Sequence, residues 1–311
     1  GVDSKALIKN ADIAMYKSKE SGKGNYSLYN SDMLKNLDQT LRLTNDLHRA
    51  IDQGELEVYY QPQNDAFTHE IRGIEALVRW NHPLYGVVTP DLFIPIAEHT
   101  GLIMEIGGWV LDQSCKDFKK LREISSNLTS IGVNLSVNQI ISHSLVKQVE
   151  RTLSKNGVSP KHLELEITES FLLNDKYYIL KILDELKALN VRIAVDDFGT
   201  DYSSLRYLKQ LPLDRIKIAK DFVDGIGNSN TDEAIIAAII FLGEKLNLNL
   251  IAEGVESREQ LDFLSELGCE EIQGFYFHKP MRFNELKDLM IKNIEYSADV
   301  SINSVKNNMS V

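Results

Sequence analysis

Between residues 56 and 275 the sequence runs through the same alternation eight times, a short apolar, β-branched run and then, in most cases, a longer stretch with helical spacing. The runs are LEVYYQPQ (56–63), IRGIEALVRW (71–80), SIGVNLSV (130–137), LELEIT (163–168), VRIAVDDF (191–198), RIKIAK (215–220), NLIAEGV (249–255) and EEIQGF (270–275). DKYYILKILDELKALN and TDEAIIAAIIFLGEKLN are examples of the helical stretches between them. Eight strands separated mostly by helices predict an α/β fold, a (β/α)8 TIM-like barrel, with a doubly wound open sheet as the runner-up. The first gap breaks the pattern. Residues 64–70 are too few for a crossover helix, so the first two strands are expected to form a hairpin and one strand to run antiparallel to the rest.

In a parallel barrel the C-terminal ends of the strands converge on one face, where active sites are built. Late in the strand patterns come Glu75, Asn134, Glu166, Asp196 with Asp197, Lys217, Glu253 and Gln273, so almost every strand delivers a polar group to that mouth. Neighbours on a strand point to opposite faces, so Asp196 and Asp197 share a task only where the strand ends and the backbone turns. Taken alone, the pair reads as a solvated strand end with an Asx-type turn. In company the reading changes, because several carboxylates in one concave mouth repel each other unless cations are bound. Carboxylates and an amide oxygen are hard donors that suit Mg²⁺ or Mn²⁺, and no His or Cys spacing favours zinc. The two aspartates are therefore expected to bridge or flank a pair of metal ions. Lys217, between Ile216 and Ile218, faces inward and needs carboxylate partners. His82, His99 and His278 read as structural or peripheral.

Forty-five acidic against 34 basic residues give a net charge of -11, which argues against non-specific binding to a nucleic-acid polymer or an anionic membrane. The two cysteines, Cys115 and Cys269, form no C-x-x-C pair, and a reducing, cytoplasmic setting fits them. No apolar run is long enough to cross a membrane, so no membrane contact is expected within these residues. The opening GVDSKALIKN lacks a signal-peptide pattern and a Met, and is expected to mark a fragment whose upstream remainder can carry a tether. SKALIKNADIAMYKSKESGKGNYSLYN reads as one helix that stops in SGKG, with an extended end, the tail of a preceding domain. A polar helix follows over 31–54, and the tail 293–311 is expected to be disordered.

EALVRW, VNLS, ELEITES, AVDDFGTDYSSL, IKIAKDF, IAEGVE and IQGFYFHKP together resemble the EAL-type cyclic-di-GMP phosphodiesterase domain, with 33–292 as the expected barrel domain. NADIAMYKSKESGKGNYSLY resembles the C-terminal end of a GGDEF diguanylate-cyclase domain, a remnant over 1–32 that lacks the cyclase's own catalytic motif. The resemblance implies hydrolysis of one phosphodiester of cyclic-di-GMP to linear pGpG, in bacterial second-messenger signalling, by a two-metal route. It implies that Glu75, Asn134, Glu166 and Asp196 hold one metal, and that Asp196 and Asp197 lie between the two. Lys217 then contacts the attacking water or second metal, Glu253 supports that water, and Glu256 and Gln273 complete the outer shell. Gln61, Arg79 and Gln273 are implied on the substrate side, Arg79 gripping a phosphate and Gln61 a guanine; Glu169 anchors the DDFGT loop. The resemblance leaves room for a homodimer.

Two positions depart from the family pattern. Ala219 stands where a third acid usually follows the lysine, and Asp201 replaces the last glycine of DDFGTG. These departures carry the alternative, a catalytically weak domain that binds cyclic-di-GMP and signals through its neighbours. A barrel glycosidase with paired acids ranks far lower, because Asn134, Lys217 and the adjacent aspartates fit metal chemistry better.

Overall fold

The computed structural model describes residues 3–20, 26–169, 176–200 and 208–294. Its strands are β1 (Leu56–Asp65), β2 (Ile71–His82), β3 (Gly86–Val88), β4 (Ser130–Asn134), β5 (Leu163–Thr168), β6 (Arg192–Phe198), β7 (Arg215–Ile218), β8 (Asn249–Ala252), β9 (Glu271–Ile272) and β10 (Met281–Arg282). Its helices are α1 (Ser4–Glu20), α2 (Ser31–Ala50), α3 (Pro90–Thr100), α4 (Ile103–Ile124), α5 (Val137–Ile140), α6 (Leu145–Asn156), α7 (Lys176–Ala188), α8 (Lys220–Val223), α9 (Asn230–Leu246) and α10 (Arg258–Glu266). Residues 283–294 are also helical.

The sheet order is β10-β1-β9-β8-β7-β6-β5-β4-β2-β3, and a further β1–β2 pairing closes the eight strands from β1 round to β2 into a barrel. Strands β2, β4, β5, β6, β7, β8 and β9 pair in parallel around the ring. β1 pairs antiparallel with β9, as the short first gap predicts. β4, β5 and β7 are buried almost end to end, which suits parallel strands covered on both faces.

Backbone contacts divide the described residues into two units, one drawn from 1–56 and 80–102, the other from 57–79 and 103–311. The first packs α1 on α2 and α2 on α3. Its core includes Leu43, Leu47, Trp80 and Phe93, with Trp80 and Phe93 edge to face at 5.8 Å. The Trp80 indole donates to Glu55 at 2.8 Å, and buried His82 meets Asp46 at 3.2 Å. The second unit holds the barrel interior and every candidate site residue.

The strands at the mouth are shorter than the apolar runs that announce them, for a common reason. The run 215–220 stops at Ile218, because Ala219, at φ −59° and ψ 142°, leaves the ladder as the residue that leads into α8. The run 249–255 stops at Ala252, two residues before Gly254 at φ 69°, a left-handed turn at which glycine is least strained. Ser257 and Gln260 then form a reciprocal capping box at the start of α10, fixing the loop that carries Glu253. The runs 130–137 and 270–275 likewise shrink to Ser130–Asn134 and Glu271–Ile272, the backbone leaving the ladder where it presents polar side chains. Two short strands, β3 and β10, have no counterpart in the predicted eight; β3 pairs antiparallel with β2, and β10 with β1. The SGKG stop at 21–24 and nearly all of the expected disordered tail, 295–311, lie outside the described residues.

Candidate active site

Lys217 stands at the centre of the mouth, fully buried on β7. Its ammonium lies 2.5 Å from Glu166, 2.7 Å from Glu253, 3.1 Å from Asp196 and 3.6 Å from Glu75. Burial works against the ammonium, but the carboxylates of Asp196, Glu166, Glu253 and Glu75 outweigh it and hold its pKa well above the ordinary lysine value. The carboxylates are less well served by one lysine. Burial pushes Glu166 well above the usual carboxylate range, and pushes Glu253 up to about 8. Asp197 is raised too, by burial and by Asp196 beside it. Glu75 is lowered: burial opposes ionisation, but Lys217 and the amides of Gln273 and Asn134 overcome it.

Glu75 is held from two sides. The Asn134 amide donates to Oε1 at 2.7 Å, and the Gln273 amide donates to Oε2 at 2.5 Å. Glu166 is accommodated by a missing side chain: a Cβ on Gly132 would sit 2.0 Å from Glu166 Oε1. That oxygen is buried and has no hydrogen-bond partner. Gly132 is a residue the sequence reading passes over, although a glycine inside a strand pattern signals close approach by another group.

The adjacent aspartates are reconciled by a bulge. Val195 pairs with Ile216 and Phe198 with Ile218, so β6 spends one residue more than β7 over this stretch. Asp197 takes up the difference at φ 52°, in the left-handed region that aspartate tolerates better than most residues. Two groups of carboxylates result, each with one oxygen per residue and all within 4.8 Å of one another: Glu75, Glu166 and Asp196, then Asp196, Asp197 and Glu253. Asp196 belongs to both, while Asp197 belongs to the second group alone. With all five carboxylates ionised, one ammonium would leave four negative charges uncompensated, and Glu166 Oε1 lacks a donor. Hard divalent cations answer both conditions, so the residues present fit a metal pair.

The other predicted residues fall around this cluster. Gln61 is buried on β1, bonded to Gln273 and to the His278 carbonyl. Arg79 lies four residues beyond Glu75 on β2, on the same face by strand alternation, half-buried and 5.8 Å from the Tyr59 ring. Glu169, buried after β5, accepts from the Gly199 backbone N–H at 2.5 Å and so ties down the start of the DDFGT loop. Asp201 in that loop lies outside the described residues. Ala219 is buried one alternation beyond Lys217. Glu256 is the exception. It is exposed, its carboxylate pairs with the Lys220 ammonium, and it belongs to neither carboxylate group. Three residues beyond Glu253, past the Gly254 turn, the chain has already left the mouth.

The barrel interior below the cluster also holds polar groups that the sequence reading leaves out. Arg215, fully buried, meets Glu164 at 3.3 Å and Glu271 at 3.0 Å, and donates to Gln63 at 3.3 Å. Arg215 precedes Lys217 by two residues and Gln63 follows Gln61 by two, so the period of a strand places each on the inward face.

Comparison with known proteins agrees with this architecture. Residues 44–280 match the EAL domain family. The bifunctional diguanylate cyclase/cyclic di-GMP phosphodiesterase MucR of Pseudomonas aeruginosa is 42% identical over 280 residues, covering 90% of this chain and 41% of that protein. The cyclic di-GMP phosphodiesterase NbdA of the same species is 37% identical over 93% of this chain and 37% of its own length. The chain thus spans about two-fifths of these relatives. The solved PaMucR phosphodiesterase, in a c-di-GMP complex, superposes with a TM-score of 0.76 at 43% identity, covering 79% of this chain and 99% of that one.

Proposed function

The chain belongs to the EAL domain family, and from that premise we propose that it hydrolyses cyclic-di-GMP to linear pGpG with the aid of two Mg²⁺ or Mn²⁺ ions. The observation that carries this reading is the pair of carboxylate groups sharing Asp196 around buried Lys217. Relatives named for the same activity, and a similar fold solved with c-di-GMP, support the choice of substrate.

Glu75, Asn134, Glu166 and Asp196 would hold one ion, and Asp196, Asp197 and Glu253 the other. When bound, such a pair steadies the phosphate and lowers the pKa of a water to be used in in-line attack. Lys217 keeps four carboxylates within reach of the reacting phosphate without letting them repel each other apart. Glu253, beside Lys217 at the rim, is placed to take the proton of the attacking water. Arg79, outward of Glu75, offers a planar fork to a phosphate, and Gln61 a hydrogen-bonding edge to a guanine. Glu169 holds Gly199 so that Asp196 and Asp197 keep their bulged geometry.

Residues 1–32 are read as the end of a GGDEF domain, 33–292 as the phosphodiesterase domain and 293–311 as a tail; the double activity in MucR's name suits such an order. The setting is taken to be cytoplasmic; among the described residues no helix is long and apolar enough to cross a membrane. Ala219 supports a second reading, a domain that binds cyclic-di-GMP and cleaves it weakly. Incubation of the purified protein with cyclic-di-GMP and Mg²⁺ or Mn²⁺, followed by chromatography, separates the two. Metal-dependent pGpG sustains the first reading; unchanged substrate that nonetheless binds sustains the second.

A further inference from the structure

Three glutamine amides lie in series across the barrel interior, all buried: Gln63 and Gln61 on β1, and Gln273 just after β9. An amide has a donor end and an acceptor end, so a chain of amides has a direction, and here both termini fix it. At one end Arg215, which only donates, gives Nη1–H to Gln63 Oε1 at 3.3 Å. That leaves the Gln63 amino group to donate to Gln273 Oε1 at 2.9 Å. The Gln273 amino group is thereby turned to donate to Glu75 Oε2 at 2.5 Å and to Gln61 Oε1 at 3.2 Å. At the other end the Gln61 amino group donates to the His278 carbonyl, which only accepts, at 3.1 Å. Gly73 makes room for this series, since a Cβ there would lie 2.4 Å from Gln63 Oε1.

We propose that Arg215 and Gln63 are positioning residues that fix the polarity of the Gln273 amide, so that its N–H and not its carbonyl faces Glu75. The proposal rests on the metal-dependent reading of the site. Arg215 itself cannot turn, because Glu164 and Glu271 hold it at 3.3 Å and 3.0 Å. An inverted Gln273 would set a carbonyl oxygen against the Glu75 carboxylate and swing that carboxylate away from its cluster. Metal affinity is therefore set from below the mouth, by groups that touch neither metal nor substrate.

The test compares Gln63→Met, which removes the link at similar volume, with Gln63→Glu, which keeps the pairing to Arg215 but presents only acceptors to Gln273. Mn²⁺ affinity is measured by calorimetry at pH 8, and the metal-free melting temperature beside it. Loss of groups that orient metal ligands costs about 10–100-fold in affinity; one bond further out, Gln63→Met is expected to cost about 3–10-fold and Gln63→Glu about 10–100-fold. Gln63→Glu should nevertheless melt no lower than Gln63→Met, so affinity and stability run in opposite order, which a purely structural role would not produce. Mn²⁺ binding as tight in Gln63→Glu as in Gln63→Met, or affinities that simply follow melting temperature, would overturn the proposal. Glu75→Gln is the control: if it binds Mn²⁺ like the wild type, the metal reading fails, whereas its loss of binding with both Gln63 variants unaffected sinks the relay alone.

Discussion

At the scale of single residues, the proposed site divides its labour: Lys217 holds the carboxylates together, and Arg79 would bind the ligand. Arg79 lies four residues beyond Glu75 on the same face of β2, and on the proposed reading its guanidinium meets the substrate. Arg79→Ala should weaken cyclic-di-GMP binding by about 1.5–3 kcal/mol, the range for a hydrogen bond to a charged group, and leave Mn²⁺ affinity unchanged. Calorimetry with each ligand separately checks both halves. Ala219 is the complementary case. It is buried one alternation beyond Lys217 where the family pattern has an acid. Fewer anionic donors mean weaker binding of a hard dication, so Ala219→Asp is expected to lower the metal concentration needed for half-maximal pGpG formation or to raise the plateau. A titration in which neither quantity moves would place Ala219 away from the second ion.

At the scale of elements, the site depends on backbone departures more than on strand regularity. β6 bulges so that two neighbouring carboxylates reach one cluster, and β4 carries a glycine so that Glu166 has somewhere to lie. Gly132→Ala should displace the Glu166 carboxylate, costing about 1–3 kcal/mol of stability through overpacking and about tenfold or more in Mn²⁺ affinity. Thermal melts and calorimetry on that variant test it; wild-type affinity would mean Glu166 has room to move without leaving the site. These departures mark where the sequence is legible and where it is not. The strand runs, the antiparallel first strand and the convergence of Glu75, Glu166, Asp196, Asp197, Lys217 and Glu253 follow from period and hydrophobicity. Strand ends do not, because Ala219 as a helix cap and Gly254 as a left-handed turn are tertiary choices that apolar runs do not encode. Glu256 shows the same limit, since spacing from Glu253 alone cannot reveal that the chain has turned towards Lys220. The interior amides were hidden for another reason: Gln63 and Arg215 look like ordinary polar residues until the closed ring brings β1, β7 and β9 together.

At the scale of the whole molecule, the carboxylate cluster ties folding stability to pH and to metal. Burial pushes Glu253 up to about 8 from an ordinary 4.5, and Glu166 and Asp197 are raised in the same sense. A raised carboxyl pKa means the folded state holds its proton longer than the unfolded chain does. Its contribution is fully present below the ordinary value and is lost as pH rises through the folded one. Glu75, His162 and His278, all lowered, act in the opposite sense. With these cluster acids raised, the chelated protein should melt lower at pH 8 than at pH 5, and Mg²⁺ should restore more of the melting temperature at pH 8. Bound ions stabilise the fold by about 2.7 kcal/mol at a hundred times their dissociation constant. The central claim is that the two carboxylate groups sharing Asp196 act as one metal-dependent hydrolytic site. The most direct test follows Mn²⁺ occupancy and the single-turnover rate of cyclic-di-GMP cleavage in the same titration, for the wild type and Glu75→Gln. The account predicts that pGpG appears as two ions bind, and that Glu75→Gln loses both occupancy and cleavage. Cleavage at an undiminished rate in excess chelator, or in Glu75→Gln, would contradict it.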